Sequence, residues 1–326
     1  MQKRRLGKSG VQVSEIGLGT WQLGTKWGQP FDHQEAMQVL QTAYEQGINL
    51  IDTADIYNDG NSEKAIGEFI RDKKNEFYVV TKCGRGLNPH TDAMYTARAM
   101  EEFIDRSLQR LGVERLDMVL LHCPPTSVYR KDELFAGMDR IRKSGKIAHY
   151  GVSIEKVSEG LAAMEYEIAA MEVIFNMFRL KPAEQLFEQA QQKDIGLIAR
   201  VPLASGLLTG RYGKDTVFGE KDHRSFNRDG AAFDKGETFS GVDYDLGLQA
   251  VAELKRLFGV EDLIPYALRW VLMYEAVSTV IPGASKAAQV VSNASASRLP
   301  ALTPQQMQGV SEIYDRYIRQ SVHDQW

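Results

Sequence analysis

A (β/α)8 barrel of the TIM type, an α/β fold, is the architecture that this 326-residue sequence predicts. Three observations point to it. Short apolar runs alternate with helical patterns, eight such strand–helix units can be traced, and several runs end on a polar or charged side chain. That periodicity favours one barrel domain over residues 1–326 rather than a doubly wound sheet, and barrels of this kind keep their chemistry at strand ends.

The elements follow in order. Lys3-Arg4-Arg5-Leu6-Gly7-Lys8-Ser9-Gly10-Val11 places a turn between two extended pieces, an N-terminal β-hairpin suited to plugging the barrel bottom. Residues 16–19 form the first barrel strand. Asp32-His33-Gln34-Glu35 resembles a capping box, and Ala36, Met37, Val39, Leu40, Ala43 and Tyr44 then recur at helical spacing until Gly47. Residues 48–51 are a strand, 62–71 a short helix and 77–81 a strand. From about Asp92 a helix carries Met100, Phe103, Ile104, Leu108 and Leu111 on one face. Strands at 116–121, 147–152, 173–175, 196–201 and 277–281 complete the set, with helices at 132–144 and 183–193. Residues 211–245, after the seventh strand, lack helical periodicity. They mix charges and glycines with Phe218, Phe226, Phe233, Phe239 and Tyr244. A loop that long is commonly functional, and its aromatics favour a lid. Thr303-Pro304 opens a last helix carrying Met307, Val310, Ile313, Tyr314 and Tyr317.

Composition narrows the function. Apolar residues at 43% and charged residues at 25% allow a substantial core, and a net charge of −4 argues against nucleic acid or anionic membrane as the main partner. The Lys3-Arg4-Arg5 cluster reads as a solvated terminus. The start lacks the apolar core of a signal peptide and no run approaches ~18 apolar residues, so a cytoplasmic protein is expected. Two cysteines, Cys83 and Cys123, support neither a disulfide framework nor a four-thiolate zinc site. Strand alternation is expected to turn both thiols away from the barrel axis.

Asp52, Tyr57, Lys82 and His122 fall at or just beyond strand ends. A free phenol has a pKa near ~10, and a nearby ammonium favours its ionised form. An ammonium inside a barrel mouth needs a carboxylate partner. The four residues therefore suit donation of a proton to a carbonyl oxygen. Taken alone, they also suit a structural Asp–Lys pair beside a core tyrosine and a hydrogen-bonded histidine. Other motifs carry less. Gly17-Leu18-Gly19 lacks the third glycine and the helix of a dinucleotide fingerprint. Asp52 and Asp55 are too close along one stretch to flank a glycosidic bond. His122 and Cys123, adjacent on a strand, should face opposite ways, so no metal site is expected.

Seven segments in order make the chain resemble the aldo-keto reductase family. They are Ile16-Gly17-Leu18-Gly19-Thr20-Trp21, Leu50-Ile51-Asp52-Thr53-Ala54 with Tyr57, Thr81-Lys82, Leu121-His122, Gly151-Val152-Ser153, Gly206-Leu207-Leu208-Thr209-Gly210 and Ile281-Pro282-Gly283. The resemblance implies a barrel that binds NADPH in an extended form and reduces an aldehyde or ketone by hydride transfer. It implies that Tyr57 is the general acid, that Lys82 lowers the tyrosine pKa, that Asp52 pairs with Lys82, and that His122 orients the carbonyl. It also implies cofactor contacts from Gly19, Thr20, Trp21 and Asp52, and from Ser153, Glu172 and Arg200 at the nicotinamide. Pro202, Leu203, Ser205, Gly206 and Leu207 would lie along the pyrophosphate. Gly283, Ser285, Lys286, Gln289 and Asn293 would hold the 2′-phosphate and adenine.

The sequence departs from the family pattern beside the nicotinamide. Ile154 stands where asparagine is common, Glu172 where glutamine is usual, and Arg200 where an aromatic often stacks. An ion pair between Glu172 and Arg200, with the guanidinium flat against the ring, is the expected compensation. Trp21, Trp27, the long loop and Trp326 would shape the substrate pocket, and Arg224 and Arg228 are expected to be solvated, with a clamp on the pyrophosphate as the alternative. The rival function is a cofactor-binding regulator of the same fold, like the potassium-channel β subunits.

Overall fold

The computed structural model describes residues 1–25, 30–73 and 75–326. Strands β1 (Lys3–Arg5) and β2 (Gln12–Ser14) pair antiparallel as the expected hairpin. The barrel then runs β3 (Leu18–Gly19), α1 (His33–Glu45), β4 (Leu50–Asp52), α2 (Asn61–Ile70), β5 (Tyr78–Cys83), α3 (Ala97–Leu111), β6 (Leu116–His122), α4 (Asp132–Lys143), β7 (Ile147–Ile154), α5 (Val157–Ala163), β8 (Ala170–Ile174), α6 (Lys181–Gln185), α7 (Phe187–Gln192) and β9 (Gly196–Arg200). After the long loop, with its short helix α8 (His223–Phe226), come α9 (Tyr244–Phe258), α10 (Ile264–Leu272), β10 (Val277–Val280), α11 (Ala287–Ser295) and α12 (Pro304–Tyr317).

β3 to β10 form one parallel eight-stranded sheet in sequence order. Its two ends meet: Ile16 bridges Val280 and Gly19 bridges Gly283, with Gly17 N–H donating to the Val280 carbonyl at 2.8 Å. This is a closed (β/α)8 barrel, which leaves no strand edge unpaired.

The alternation of strand side chains divides the protein into two cores. Leu50, Tyr78, Val80, Met118, Leu120, Ala170 and Ile198 fill the barrel interior together with Leu6 and Val13 of the hairpin, which plugs the bottom. The alternate residues, such as Ile51, Val79, Val119, Val152, Met171 and Leu197, face the surrounding helices. The same period carries Asp52, Lys82, His122, Ser153, Glu172 and Arg200 inward at the upper end.

Several expectations are adjusted. β8 begins at Ala170, before the expected apolar run, because the inward Glu172 interrupts the apolar pattern that would reveal it. The expected helix over 183–193 is two helices that meet at Leu186 (φ −115°). The helix near Asp92 is first a 3-10 turn; α3 proper starts after Thr96, whose hydroxyl accepts from Ala99 N–H. Helices α9 and α10 were not anticipated. They bury Ala250, Val251, Leu254 and Phe258, and Ala267, Leu268, Trp270 and Val271. Of the capping box expected at Asp32–Glu35 one half is present, Asp32 accepting from Glu35 N–H; the helix expected at Thr303-Pro304 does open there, with a reciprocal capping box of Thr303 and Gln306 that was not anticipated.

The basic cluster Lys3-Arg4-Arg5 is not simply solvated. Arg4 donates to the carbonyls of Leu272 (2.7 Å), Val277 (2.9 Å) and Tyr274 (3.3 Å), and lies 3.2 Å from the fully buried Glu15. It thereby covers the Leu272 carbonyl at the end of α10 and ties that end to the start of β10. Arg5 pairs with Asp194 at 2.6 Å. Arg4→Met should therefore cost about 3 kcal/mol, since it strands a buried carboxylate and several carbonyls. Urea unfolding of the variant and parent measures this, and a loss below about 0.5 kcal/mol would mark the cluster as solvated after all.

Candidate active site

The upper rim of the barrel holds the buried charges. Lys82 ends the inward row of β5, and its ammonium donates to both oxygens of Asp52 at 2.7 Å and to the Thr53 carbonyl at 3.0 Å. It also donates to the Tyr57 hydroxyl at 3.3 Å, and Glu172 Oε2 lies 3.4 Å away. Tyr57 stands on the turn between β4 and α2, where Asn58 and Asp59 adopt left-handed φ values of 53° and 54°. The His122 ring meets the Tyr57 ring edge-on, with centroids 5.9 Å apart. The structure thus brings the four residues singled out in the sequence into one cluster.

Electrostatics sort the members. Burial pushes the Asp52 carboxyl up, to about 8, with Glu172 adding to the push and Lys82 opposing it. Burial acts against the Lys82 ammonium, but Asp52, Glu172 and Tyr57 outweigh it and hold the proton beyond the usual lysine range. The Tyr57 phenol is raised above its ordinary value because burial exceeds the opposite pull of Lys82. The expected lowering by lysine is thus present as one contribution and is outweighed. His122 is held neutral by burial, followed by repulsion from Lys82, Arg85 and Arg200.

A cavity of about 170 Å³ opens onto this cluster. Trp21, Ile56, Tyr57, Arg85, His122, Ser153, Glu172, Arg200, Phe233 and Glu237 line it. The expected Glu172–Arg200 pair is present but long, at 3.7 Å. The close partner of Arg200 is Glu237 of the long loop, at 2.7 Å, which the sequence did not reveal. Arg200 also donates to the Ile154 carbonyl at 3.1 Å. Although burial pushes the Glu237 carboxyl up, Arg200 holds it below the usual range, so the two form an ion pair. Phe233 comes from the same loop, which therefore forms part of the cavity wall.

The remaining candidates lie as follows. Thr20 donates to the Asp52 carbonyl at 2.7 Å and Gly19 pairs with Asp52 in the sheet, so both sit against the cluster. The Trp21 ring lies 5.0 Å from His223 and 6.3 Å from Phe233. Ser153 pairs with Glu172 across β7 and β8. Pro202, Leu203, Ser205, Gly206 and Leu207 follow β9 in a tight run, where Val201, Ala204, Ser205 and Gly206 have positive φ. The Ser205 hydroxyl donates to the Glu237 carbonyl at 2.8 Å and accepts from Phe239 N–H at 3.1 Å, which fastens the loop to the barrel. At the start of α11 the Gln289 side-chain oxygen accepts from Ser285 N–H (2.8 Å) and Lys286 N–H (3.1 Å), and Asn293 donates to the Gly283 carbonyl at 3.4 Å.

Other expectations change. Cys83 packs outward against Met100 at 3.6 Å, as expected. Cys123 does not turn away: beyond the end of β6 its φ is +44°, which breaks the alternation. Its thiol reaches Ser153 Oγ and Arg200 Nη2 at 3.4 Å each. Cys123, Glu155 and Glu237 consequently place ligand-type atoms within 4.8 Å of one another, a cluster the sequence did not suggest. The Arg200 guanidinium lies among them. Arg224 is held by Asp222 at 2.5 Å and Arg228 lies over the Tyr244 ring at 5.2 Å. Trp326 does not line the cavity; it is buried with its ring 4.0 Å from the Arg179 guanidinium. Trp27 lies outside the described residues.

The site suits a nicotinamide. Among the described residues, His122 Nδ1, Glu172 Oε2 and Arg200 Nε are buried without a hydrogen-bond partner. Such atoms are costly unless something completes them. A carboxamide has an amide donor for the carboxylate and an oxygen for the guanidinium or the Ser153 hydroxyl. No helix is long and apolar enough to cross a membrane among the described residues.

Comparison with known proteins bears on this arrangement. The family model described as "Aldo/keto reductase family" matches residues 15–315. The uncharacterized oxidoreductase YqkF of Bacillus subtilis is 27% identical over 317 residues, covering 95% of each chain. A putative voltage-gated potassium channel subunit beta of Schizosaccharomyces pombe is 29% identical, over 95% of this chain and 92% of the relative. The holo form of aldo-keto reductase AKR11C1 from Bacillus halodurans superposes with a TM-score of 0.78 at 25% identity, covering 96% of both chains. With a family match over nearly its whole length on a closed barrel, this chain belongs to the aldo/keto reductase family and is an NAD(P)H-dependent oxidoreductase.

Proposed function

We propose that residues 1–326 form one barrel domain that reduces an aldehyde or ketone to an alcohol with NADPH, with Tyr57 as the general acid. The observation that carries this reading is the Tyr57–Lys82–Asp52 chain of contacts, at 3.3 Å and 2.7 Å, at the cavity floor. When bound, the reduced nicotinamide supplies the hydride.

Every other task falls to this chain. The raised Tyr57 phenol keeps its proton in the resting site, as a donor to the carbonyl oxygen must. Lys82, itself held protonated, stabilises the phenolate left after transfer and weakens the O–H bond. Asp52 fixes the ammonium and offsets its burial. His122, neutral, has an N–H available to orient the substrate oxygen without adding a second cation. Ser153, Glu172 and Arg200 hold the carboxamide. Because Glu237 neutralises Arg200, the guanidinium acts there as a flat hydrogen-bonding surface more than as a free charge.

Ser285, Lys286, Gln289 and Asn293 form the 2′-phosphate and adenine end of this reading. Gln289 already occupies the amides of Ser285 and Lys286, and Ser285 Oγ lies 3.2 Å from the Gln289 oxygen. The charge of Lys286 therefore carries most of the preference for NADPH over NADH. Leu203, Ser205, Gly206 and Leu207, with Pro202, line the pyrophosphate path, and the lack of a Cβ at Gly206 makes room for the Tyr212 ring. The cytoplasm is the proposed compartment. The similarity to proteins named as potassium-channel β subunits supports a second reading, a cofactor-binding regulator with slow turnover. A complete acid–base cluster opening on a cavity favours the enzyme, and a measured steady-state turnover number separates the two.

Three outcomes are expected. Tyr57→Phe lowers carbonyl reduction by about 10²–10⁴-fold while NADPH binding, followed by fluorescence titration, stays largely intact. Near-normal turnover would remove Tyr57 from its role. Because the Tyr57 pKa is raised, loss of its proton lies above pH ~10, so the hydride-transfer rate should show no alkaline decline attributable to Tyr57 between pH 6 and 9 on this order-of-magnitude scale. Stopped-flow profiles of the parent test this, and a limb near neutrality that vanishes in Tyr57→Phe would contradict it. Lys286→Ala should cut the NADPH-to-NADH ratio of kcat/KM about tenfold or more. An unchanged ratio places cofactor discrimination elsewhere.

A further inference from the structure

The cations in and beside the cavity wall are unequally paired. Arg200, in the wall, has Glu237 at 2.7 Å, and Lys82, buried next to Tyr57, has Asp52 at 2.7 Å. Arg85 has neither. Its carboxylate neighbour, Glu155 Oε1, lies 3.7 Å from Nη1, beyond hydrogen-bond length. Its one hydrogen bond among the described residues is a long contact, 3.4 Å, to the Cys123 carbonyl. Glu155 Oε1 itself has no hydrogen-bond partner there. Burial, with Asp234 and Glu237 adding to it and Arg200 and Arg85 opposing, pushes the Glu155 carboxyl up.

Placement matters as much as charge. Gly84, at φ +97°, turns the chain at the end of β5; a Cβ there would meet the Tyr95 ring at 2.7 Å. The turn sends Arg85 to the cavity wall with its side chain 23% exposed. The carbonyl it touches belongs to the residue directly after His122, so the guanidinium lies close to the reacting end of the cavity. A guanidinium offers five N–H donors in a planar fork, and a carboxylate is the partner that matches this fork in a bidentate way. The nearby acids do not fill that role: Glu237 is taken by Arg200, and Glu172 lies between Lys82 and Arg200.

We propose that Arg85 binds a carboxylate on the substrate, so that short oxo-acids are the carbonyl compounds this site selects. The inference rests on the reductase reading above. The cavity of about 170 Å³ is shared with the nicotinamide end, since Ser153, Glu172 and Arg200 line it too, and this leaves room only for a short acid between Tyr57 and Arg85. Ile56, Trp21 and Phe233 supply an apolar wall for the short carbon chain between the two groups.

The test compares kcat/KM, with NADPH, for glyoxylate and 4-oxobutanoate, each against its methyl ester. The parent should prefer at least one acid by about tenfold or more, chiefly through KM. Arg85→Gln should collapse that acid-to-ester ratio toward one, whatever absolute rate it retains, and Arg85→Lys should keep part of it. Glu155→Gln, which removes the competing carboxylate, should raise the ratio and provides a second reading if Arg85→Gln fails to fold. No acid preference in the parent, or a ratio unchanged in Arg85→Gln, overturns the proposal. Turnover of the esters reports the reductase reading separately. Tryptophan emission, to which Trp21 at the cavity wall contributes, follows butanoate and butanamide binding without any turnover. Saturable butanoate binding that is lost in Arg85→Gln is expected, and equal affinity for the two ligands would count against a carboxylate site.

Discussion

A lysine ammonium buried in a closed barrel is the constraint around which the site is arranged. With a side chain only 1% exposed, Lys82 cannot be solvated and has to be matched from within the protein. Asp52, the Thr53 carbonyl, Tyr57 and Glu172 all converge on it. Removing a charge from water costs several kcal/mol after relaxation, which only close and well-satisfied pairing offsets. The parallel barrel makes this possible because β4, β5 and β8 each carry an inward side chain that reaches the same ammonium-centred cluster. The proton chemistry proposed for Tyr57 would then be a consequence of where the ammonium can be held.

A second layer of charge lies beside the first and has a different origin. Arg200 comes from the inward row of β9, but its close partner Glu237 belongs to the long loop after that strand. The loop is fastened by the Ser205 hydroxyl, by packing of Phe218, Phe239 and Tyr244, and by Trp326 and Arg179 behind it. Gly236 and Gly241 pass so close to Trp326 that a Cβ would come within 3 Å of its ring. The loop therefore packs as part of the wall, bringing Phe233 and Glu237 to the cavity. Rigid barrel residues carry the acid–base cluster, while the loop completes the surface next to it, which fits the general division between scaffold and connecting segments.

The departures from the family pattern form one connected group. Ile154 offers its backbone carbonyl to Arg200, Glu172 faces both Lys82 and Arg200, and Cys123 places its thiol against Arg200 and Ser153. A residue whose side chain cannot hydrogen-bond, an acid and an arginine are thus balanced against one another. Each would leave a buried polar group poorly matched if changed alone.

The amino-acid pattern by itself determined the barrel, the hairpin plug and the placing of Asp52, Lys82 and His122 at strand ends. The physical reason is that strand periodicity of two assigns each residue a side before any partner is known. Where an inward charge broke the apolar run, at Glu172, the strand was placed too late. Helices α9 and α10 went unseen beside the long, irregular segment. Only the tertiary structure decided that Arg4 covers a helix-end carbonyl, that Cys123 turns inward through a left-handed backbone, and that Glu237, not Glu172, is the close partner of Arg200. It also decided that Arg85 reaches the cavity with its charge incompletely matched. Cys123, Glu237 and Arg85 lie on loops and turns, which have no repeating period to read, and Arg4 lies on a short edge strand whose partner in the fold no period names. Their positions are set by contacts between segments distant in sequence, and such contacts exist only once the barrel has closed.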